Sequence, residues 1–443
     1  MFMLFLLNNC FSQQIYQTTL FGDTENLGYY FIDLYVGTPP VVQTVIVDTG
    51  SSLTAFPCTG CSYCGQHMDS YFDYTHSATF NKLPCNSGIP CSACNNEMCE
   101  YHQSYAEGSS IFGMLVEDIL SLEPDYNNTF LFPSIFGCHL RETNLFKSQK
   151  ADGIMGIGRK KNSINSVIDT LYETEKIESN SFAICFSKEN GVFTVGGYNE
   201  SIHIDEIVWT PMYDSVYYGI KMKKLKIGGF YSTFSFEDLP KIYTTGTILD
   251  SGTTFTYLHS LLYNDLTRFF HLFCTNSENC QGEEVRVFGE PQKCFAHNST
   301  LTLDKFFSTF PIISIGFEGG EVSWLPKNYL FAWPDTADYY CLGIYNNFEG
   351  GNILGSTFMR GNNVIFDRSL NRAGIVPANC DIGYEGNRSM SSYRSESSLT
   401  TQYFNDFPIF AVVLVSCSIM SSITVLIWVI TKNKMKIEEN STE

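Results

Sequence analysis

The chain is short of positive charge. It carries 27 Lys and Arg against 46 Asp and Glu, a formal net charge of -19, and no Lys or Arg precedes Lys82. Nucleic-acid binding needs clustered cations, so that class of partner is excluded, and protein or peptide guests are expected instead. Helical periodicity is scarce as well. Short apolar runs bounded by Gly, Pro and Asn, such as Tyr29–Val36, Thr44–Val47, Ile220–Ile227 and Val364–Phe366, predict a mostly β protein, with helices expected at Ser166–Ile177 and Leu261–Phe273. Histidine is sparse, and His67, His76, His102 and His139, the ones nearest the cysteines, follow no ligand spacing. No metal and no cofactor are expected. Apolar residues are not in short supply: 443 residues at 44% hydrophobic and 15% aromatic suffice for a large core.

Charge is also missing from one stretch near each end of the chain. Met1 to Leu7 is apolar, lacks the usual basic flank, and reads as part of a signal peptide over residues 1–12. Phe407 to Ile430 holds no charged residue and, at about 1.5 Å per helical residue, is long enough to span a bilayer. Lys432, Lys434 and Lys436 follow at once and place a tail, 431–443, in the cytosol by the positive-inside rule. Membrane lipid is thus an expected partner, through one C-terminal helix. Residues 381–406, rich in Ser, Tyr, Asn and Arg, read as a stalk. The remainder is expected to be lumenal or extracellular, so the sequons at Asn127, Asn199, Asn298 and Asn387 are open to glycans and the one at Asn440 is not.

Cysteine, by contrast, is plentiful. Cys10 leaves with the signal and Cys417 lies in the span, so fourteen remain, nine before residue 200 and five after it. Both counts are odd, and full pairing requires a bridge between the halves, for which Cys380 is the candidate. Cys58-x-x-Cys61-x-x-Cys64 has the spacing of a zinc fragment, but in an oxidising compartment disulfides are the favoured reading.

The most informative signal is an internal repeat. Val45-Ile-Val-Asp48-Thr49-Gly50-Ser51 is echoed by Thr247-Ile-Leu-Asp250-Ser251-Gly252-Thr253. Each has an apolar-apolar-Gly segment downstream: Gly156 follows Asp48 by 108 residues and Gly355 follows Asp250 by 105. An apolar strand ending in Asp presents a carboxylate on a tight turn, where Gly allows close approach. Two lobes related by a pseudo-two-fold would bring Asp48 and Asp250 together, and like charges in contact share one proton. One carboxylate can then activate a water while the protonated one hydrogen-bonds a scissile carbonyl. Ser51 and Thr253 are expected to hold the outer carboxylate oxygens, and Thr49 and Ser251 to cross-link the loops.

This pairing resembles the pepsin-like aspartic proteases over about residues 28 to 380. The resemblance implies a bilobal fold with an N-terminal catalytic lobe over 13–210 and a C-terminal catalytic lobe over 211–380. More narrowly, Gly37-Thr-Pro39, the cysteine cluster from Cys58 to Cys64, Gln103-Ser-Tyr105-Ala-Glu107-Gly and the terminal span are similar to the plasmepsin V-like branch, membrane-anchored proteases of the endoplasmic reticulum. It implies that the Cys-rich insert, 58–99, is disulfide-bonded as in nepenthesin-like proteases. It also implies a flap, 103–113, carrying Tyr105 over the cleft and Glu107 to bind a substrate arginine, in a monomeric enzyme.

Two departures stand out. Ala55 replaces the Trp that holds the flap Tyr in the pepsin pattern, and Ala106 replaces an unpaired Cys of the plasmepsin V flap. The family's basic inhibitory pro-segment has no counterpart before Lys82, so acid-triggered maturation is not expected. Other readings are a β-secretase-like sheddase of the Golgi or surface and a catalytically silent peptide-binding protein of the same fold. An intact pair of Asp motifs argues against the silent reading, and the insert with its Tyr105-Ala-Glu107 flap argues against the sheddase.

Overall fold

Strand Val41–Asp48 is buried along six successive residues, which is why Val45-Ile-Val47 reads as an unbroken apolar run rather than an alternating one. It lies inside a 15-stranded sheet, flanked on one side by Tyr29–Val36 and on the other by Gly153–Gly156. The computed structural model describes residues 15–124, 130–159, 164–214, 216–232, 246–276, 278–287, 293–297, 299–333 and 338–381. The expected signal peptide, the stalk beyond Asp381, the span 407–430, the tail and the sequons at Asn127, Asn298, Asn387 and Asn440 lie outside them. Among the described residues no helix is long and apolar enough to cross a membrane.

The protein is mostly β, as its runs predict. Both expected helices form, as Val167–Glu173 and Ser260–Cys274. The first is started by a capping box in which the Ser166 side chain accepts from the Asp169 N–H while the Asp169 carboxylate accepts from the Ser166 N–H. One expected strand is corrected. Ile220–Ile227 is two strands, because Gly219–Ile220 pairs with Thr247–Leu249 while Lys224–Ile227 pairs with Ile313–Gly316 in another sheet. The chain changes sheets across Lys221, Met222 and Lys223, of which only Met222 is buried.

The two halves share backbone as well as a cleft. Ser181–Phe186 pairs with Asn362–Asp367, and Val208–Pro211 with Arg372–Pro377, so late strands complete the sheet that early strands begin. Cys185–Cys380 joins the same region across 195 residues and is the crossing bridge that the odd cysteine counts require. The insert is stapled by Cys61–Cys64, Cys85–Cys94 and Cys91–Cys99, and Cys58–Cys138 ties its start to strand Leu131–Glu142. Cys274–Cys280 and Cys294–Cys341 lie in the second half. All fourteen cysteines are thereby paired, and the zinc reading of the cluster is not needed.

Candidate active site

Each half builds its Asp loop the same way. Gly153–Gly156 runs parallel to Val41–Asp48 with Gly156 opposite Asp48, and Asn352–Leu354 runs parallel to Thr247–Leu249. The Ile157 N–H donates to the Asp48 carbonyl at 2.8 Å, while the Asp250 N–H donates to the Leu354 carbonyl at 3.1 Å. Both downstream glycines are required by crowding: a Cβ on Gly156 would sit 2.5 Å from the Leu53 nitrogen, and one on Gly355 would sit 2.2 Å from the Phe255 carbonyl oxygen.

Within the loops the bonding is reciprocal. The Thr49 N–H donates to Ser251 Oγ at 3.0 Å and the Ser251 N–H to Thr49 Oγ1 at 2.9 Å. Each hydroxyl passes its own proton to a carbonyl, Thr49 to Leu249 at 3.1 Å and Ser251 to Val47 at 2.7 Å. These four bonds bolt one Asp loop to the other. The Gly50 N–H donates to Asp48 Oδ1 at 2.8 Å and the Gly252 N–H to Asp250 Oδ1 at 3.0 Å. On the outer oxygens, Ser51 donates to Asp48 Oδ2 and Thr253 donates to Asp250 Oδ2 at 2.7 Å.

The carboxyls face each other across the two glycines. A Cβ on Gly50 would lie 2.7 Å from Asp250 Oδ1, and one on Gly252 would lie 2.2 Å from Asp48 Oδ1. Burial, then the Asp250 charge, pushes Asp48 up to about 7, against the hydrogen bonds from Ser51 and Gly50. Burial also raises Asp250, against the hydrogen bonds from Thr253 and Gly252. A pair so placed holds one proton between two acids, the arrangement needed to activate water on one side and polarise a carbonyl on the other.

The hairpin above is made by Met98–Ser104 and Ser110–Ser121, with Tyr105, Glu107 and Gly108 at its turn. Ala55 is fully buried in strand Thr54–Pro57 and offers Tyr105 no polar group. The Tyr105 hydroxyl is buried near Asp48 and Ser51 and makes no well-formed hydrogen bond among the described residues, and its ring packs on Phe146 with centroids 4.8 Å apart. The turn itself is tied down by Asn144, whose side-chain amide donates to the Gly108 carbonyl at 2.9 Å, and by the Leu145 N–H to Ser109 Oγ at 3.1 Å. Glu107 is exposed and has no ion-pair partner among the described residues.

Sequence reasoning missed Asn144 and Phe146, since nothing local marks them. It also gave His67 and His139 no role. Both bond one carboxylate: His67 Nε2 lies 3.1 Å from Glu142 Oε2, and His139 Nδ1 lies 2.8 Å from Glu142 Oε1, with all three side chains fully buried. Burial alone would raise Glu142, but the two histidine bonds outweigh it and hold it down to about 2. The cluster joins the insert to the strand leading into the Asn144–Phe146 segment. No group of metal-ligating side chains with suitable placement occurs among the described residues.

Comparison with known proteins follows this geometry. The family description "Eukaryotic aspartyl protease" matches residues 29–378. Aspartic protease 5 of Toxoplasma gondii is 30% identical over 392 residues, covering 83% of this chain but 38% of that protein. Plasmepsin V of Plasmodium falciparum is 27% identical over 477 residues, 89% of this chain and 79% of its own. Aspartic proteinase nepenthesin-2 of Nepenthes gracilis is 26% identical over 371 residues, 80% of this chain and 78% of its own.

Proposed function

The chain belongs to the eukaryotic aspartyl protease family, the pepsin-like aspartic endopeptidases, and from that premise we propose that it hydrolyses peptide bonds with a water held between Asp48 and Asp250. The observation that carries the assignment is the reciprocal bonding of the Thr49 and Ser251 loops, which sets two buried carboxyls face to face with one proton between them. The ionised carboxyl takes a proton from water as its oxygen attacks the carbonyl carbon, while the protonated one donates to the carbonyl oxygen. Collapse of the tetrahedral species breaks the C–N bond: the second carboxylate takes back its proton from the former carbonyl oxygen, and the nitrogen leaves with the proton gained by the first carboxyl. Tyr105 covers the substrate and excludes water.

The substrates are proteins of the secretory pathway, processed at sites with an arginine that Glu107 binds. Seven disulfides fit that compartment, and similarity to plasmepsin V, together with an unpaired carboxylate at the flap turn, supports the arginine. The enzyme is a type I protein of the endoplasmic reticulum, anchored by 407–430. Cleavage of a peptide library by the purified full-length chain tests the reading. Asp48→Ala is expected to be inactive, and Glu107→Ala to lose arginine-containing peptides selectively. A correctly folded wild type that cuts nothing across the acid-to-neutral range would make the chain a silent binding protein.

A further inference from the structure

A pocket opens where three elements meet. Ser52 and Leu53 form its floor, directly after the Ser51 hydroxyl that holds Asp48. Tyr101 and Gln103, on the same face of the flap strand as Tyr105, form a second side. The third side is Ile89 and Pro90, from the Cys-rich insert. Leu115 and Ile164 complete the apolar lining, and no carboxylate borders it.

The insert's contribution is held in place. Cys91, next to Pro90, is bonded to Cys99 on the flap strand's own start, and the Ser92 N–H donates to the Glu100 carbonyl at 2.8 Å. In return the His102 N–H donates to Ser92 Oγ at 3.1 Å. His102, whose ring stacks on Phe112 with centroids 4.0 Å apart, also borders the pocket, together with Gln103 and the serines. A wall cross-linked to the flap strand keeps its distance from Leu53, so it can measure the size of what enters.

We propose that the Ile89–Ser92 loop is a specificity wall: with Leu53 and the flap strand it selects an uncharged aliphatic side chain at one fixed substrate position near the scissile bond. This rests on the peptidase reading above and adds the insert to the substrate-binding surface. Apolar walls favour an aliphatic group, and a cationic one would be desolvated with no carboxylate to pair with. A methylene more or less in such a pocket changes discrimination by about tenfold or more.

The test uses the full-length chain and peptides varied one position at a time through Ala, Leu, Ile, Phe, Trp, Asp and Lys. Wild type is expected to prefer Leu or Ile at one position. There, Ile89→Ala shifts the kcat/KM ratio toward Phe and Trp, and Ile89→Trp shifts it toward Ala, each by about tenfold, with ratios at other positions kept. Pro90→Ala, a milder change, is expected to shift the same position toward larger residues. Wild-type ratios at every position in these variants, or a shift in the same direction for both Ile89 variants, overturn the proposal. If the wild-type chain cuts no peptide, the peptidase reading fails separately, and fluorescence-polarisation binding of the same peptides decides: position-specific changes in the Ile89 variants uphold the wall, and their absence overturns it.

Discussion

Thr49 and Ser251 each donate a backbone N–H to the other's hydroxyl, at 3.0 and 2.9 Å, so neither Asp loop is positioned without its counterpart. Ser251→Ala removes the acceptor of the Thr49 N–H and the donor to the Val47 carbonyl, leaving buried polar groups unpaired. Small misplacement of reacting groups costs about 100-fold in rate. We expect kcat to fall by about that factor with KM little changed and the far-ultraviolet spectrum retained; steady-state kinetics on a single peptide reads both. A kcat near the wild-type value would show that the carboxyls hold their places without the cross-link.

The raised pKa of Asp48 sets a pH dependence of definite sign. Its carboxyl, ordinarily near 3.8, titrates in the folded protein at about 7, so the pair keeps its proton through the acid range and loses it as pH rises through neutrality. Activity therefore declines as pH rises through about 7. Stability moves the same way: the folded state binds the extra proton, so this group's contribution is complete below 3.8 and is lost as pH climbs to about 7. Asp48→Asn removes that penalty, and its melting temperature at pH 8 is expected to exceed wild type by more than it does at pH 4. A constant difference across that range would contradict the shift.

The same pair shows why some of the site was legible and some not. Asp48 and Asp250 could be read because each half solves one local problem, an Asp on a turn beside a close-approaching glycine, with the same short string of residues. The apolar-apolar-Gly segments were readable for the same reason, and they do run parallel to the two Asp strands. Parity of the cysteines demanded a crossing and pointed to Cys380, but its partner Cys185 depends on a sheet that early and late strands complete together. Ile220–Ile227 looked like one strand because apolar spacing does not record that its ends pair in different sheets. His67 and Glu142 lie 75 residues apart and bear no motif, so only the fold brings them together.

Tyr105 presents its ring to Phe146 and its hydroxyl to no partner among the described residues. The flap is thus seated by aromatic packing and by Asn144 rather than by a phenol hydrogen bond. An aromatic pair of this kind is worth about 0.5–1.5 kcal/mol beyond its buried area. Tyr105→Phe is expected to keep most of the wild-type kcat/KM, whereas Phe146→Ala loses about tenfold, by the rate equivalent of roughly 1.4 kcal/mol. Equal losses in the two variants would mean that the hydroxyl acts in catalysis after all.

Glu142 is the point on which the insert turns. Burial tends to lower His67, but Glu142 outweighs it and the imidazole is raised, while burial dominates at His139 and lowers it. Both ring nitrogens of His67 face acceptors, the Gln149 carbonyl at 3.0 Å and Glu142 Oε2 at 3.1 Å, as a protonated imidazole requires, while His139 bonds Glu142 through Nδ1 alone. For Glu142, held down to about 2 from its ordinary 4.5, the stabilisation is complete above 4.5 and lost as pH falls toward 2. For His67 the sign is opposite: its share is full below its ordinary 6.5 and lost as pH rises through the raised folded value. Removing one partner of a buried pair costs about 3–5 kcal/mol, because the other charge is left without compensation. Glu142→Ala is expected to lower unfolding stability in urea by that amount at pH 6. The loss shrinks as pH rises past the raised His67 value, where the wild-type imidazole also sheds its proton and the pair stops contributing. Because Glu142 also accepts from the Gly65 N–H at 2.9 Å, part of the loss persists at every pH. A pH-independent loss would assign the whole effect to that backbone contact and none to the ion pair.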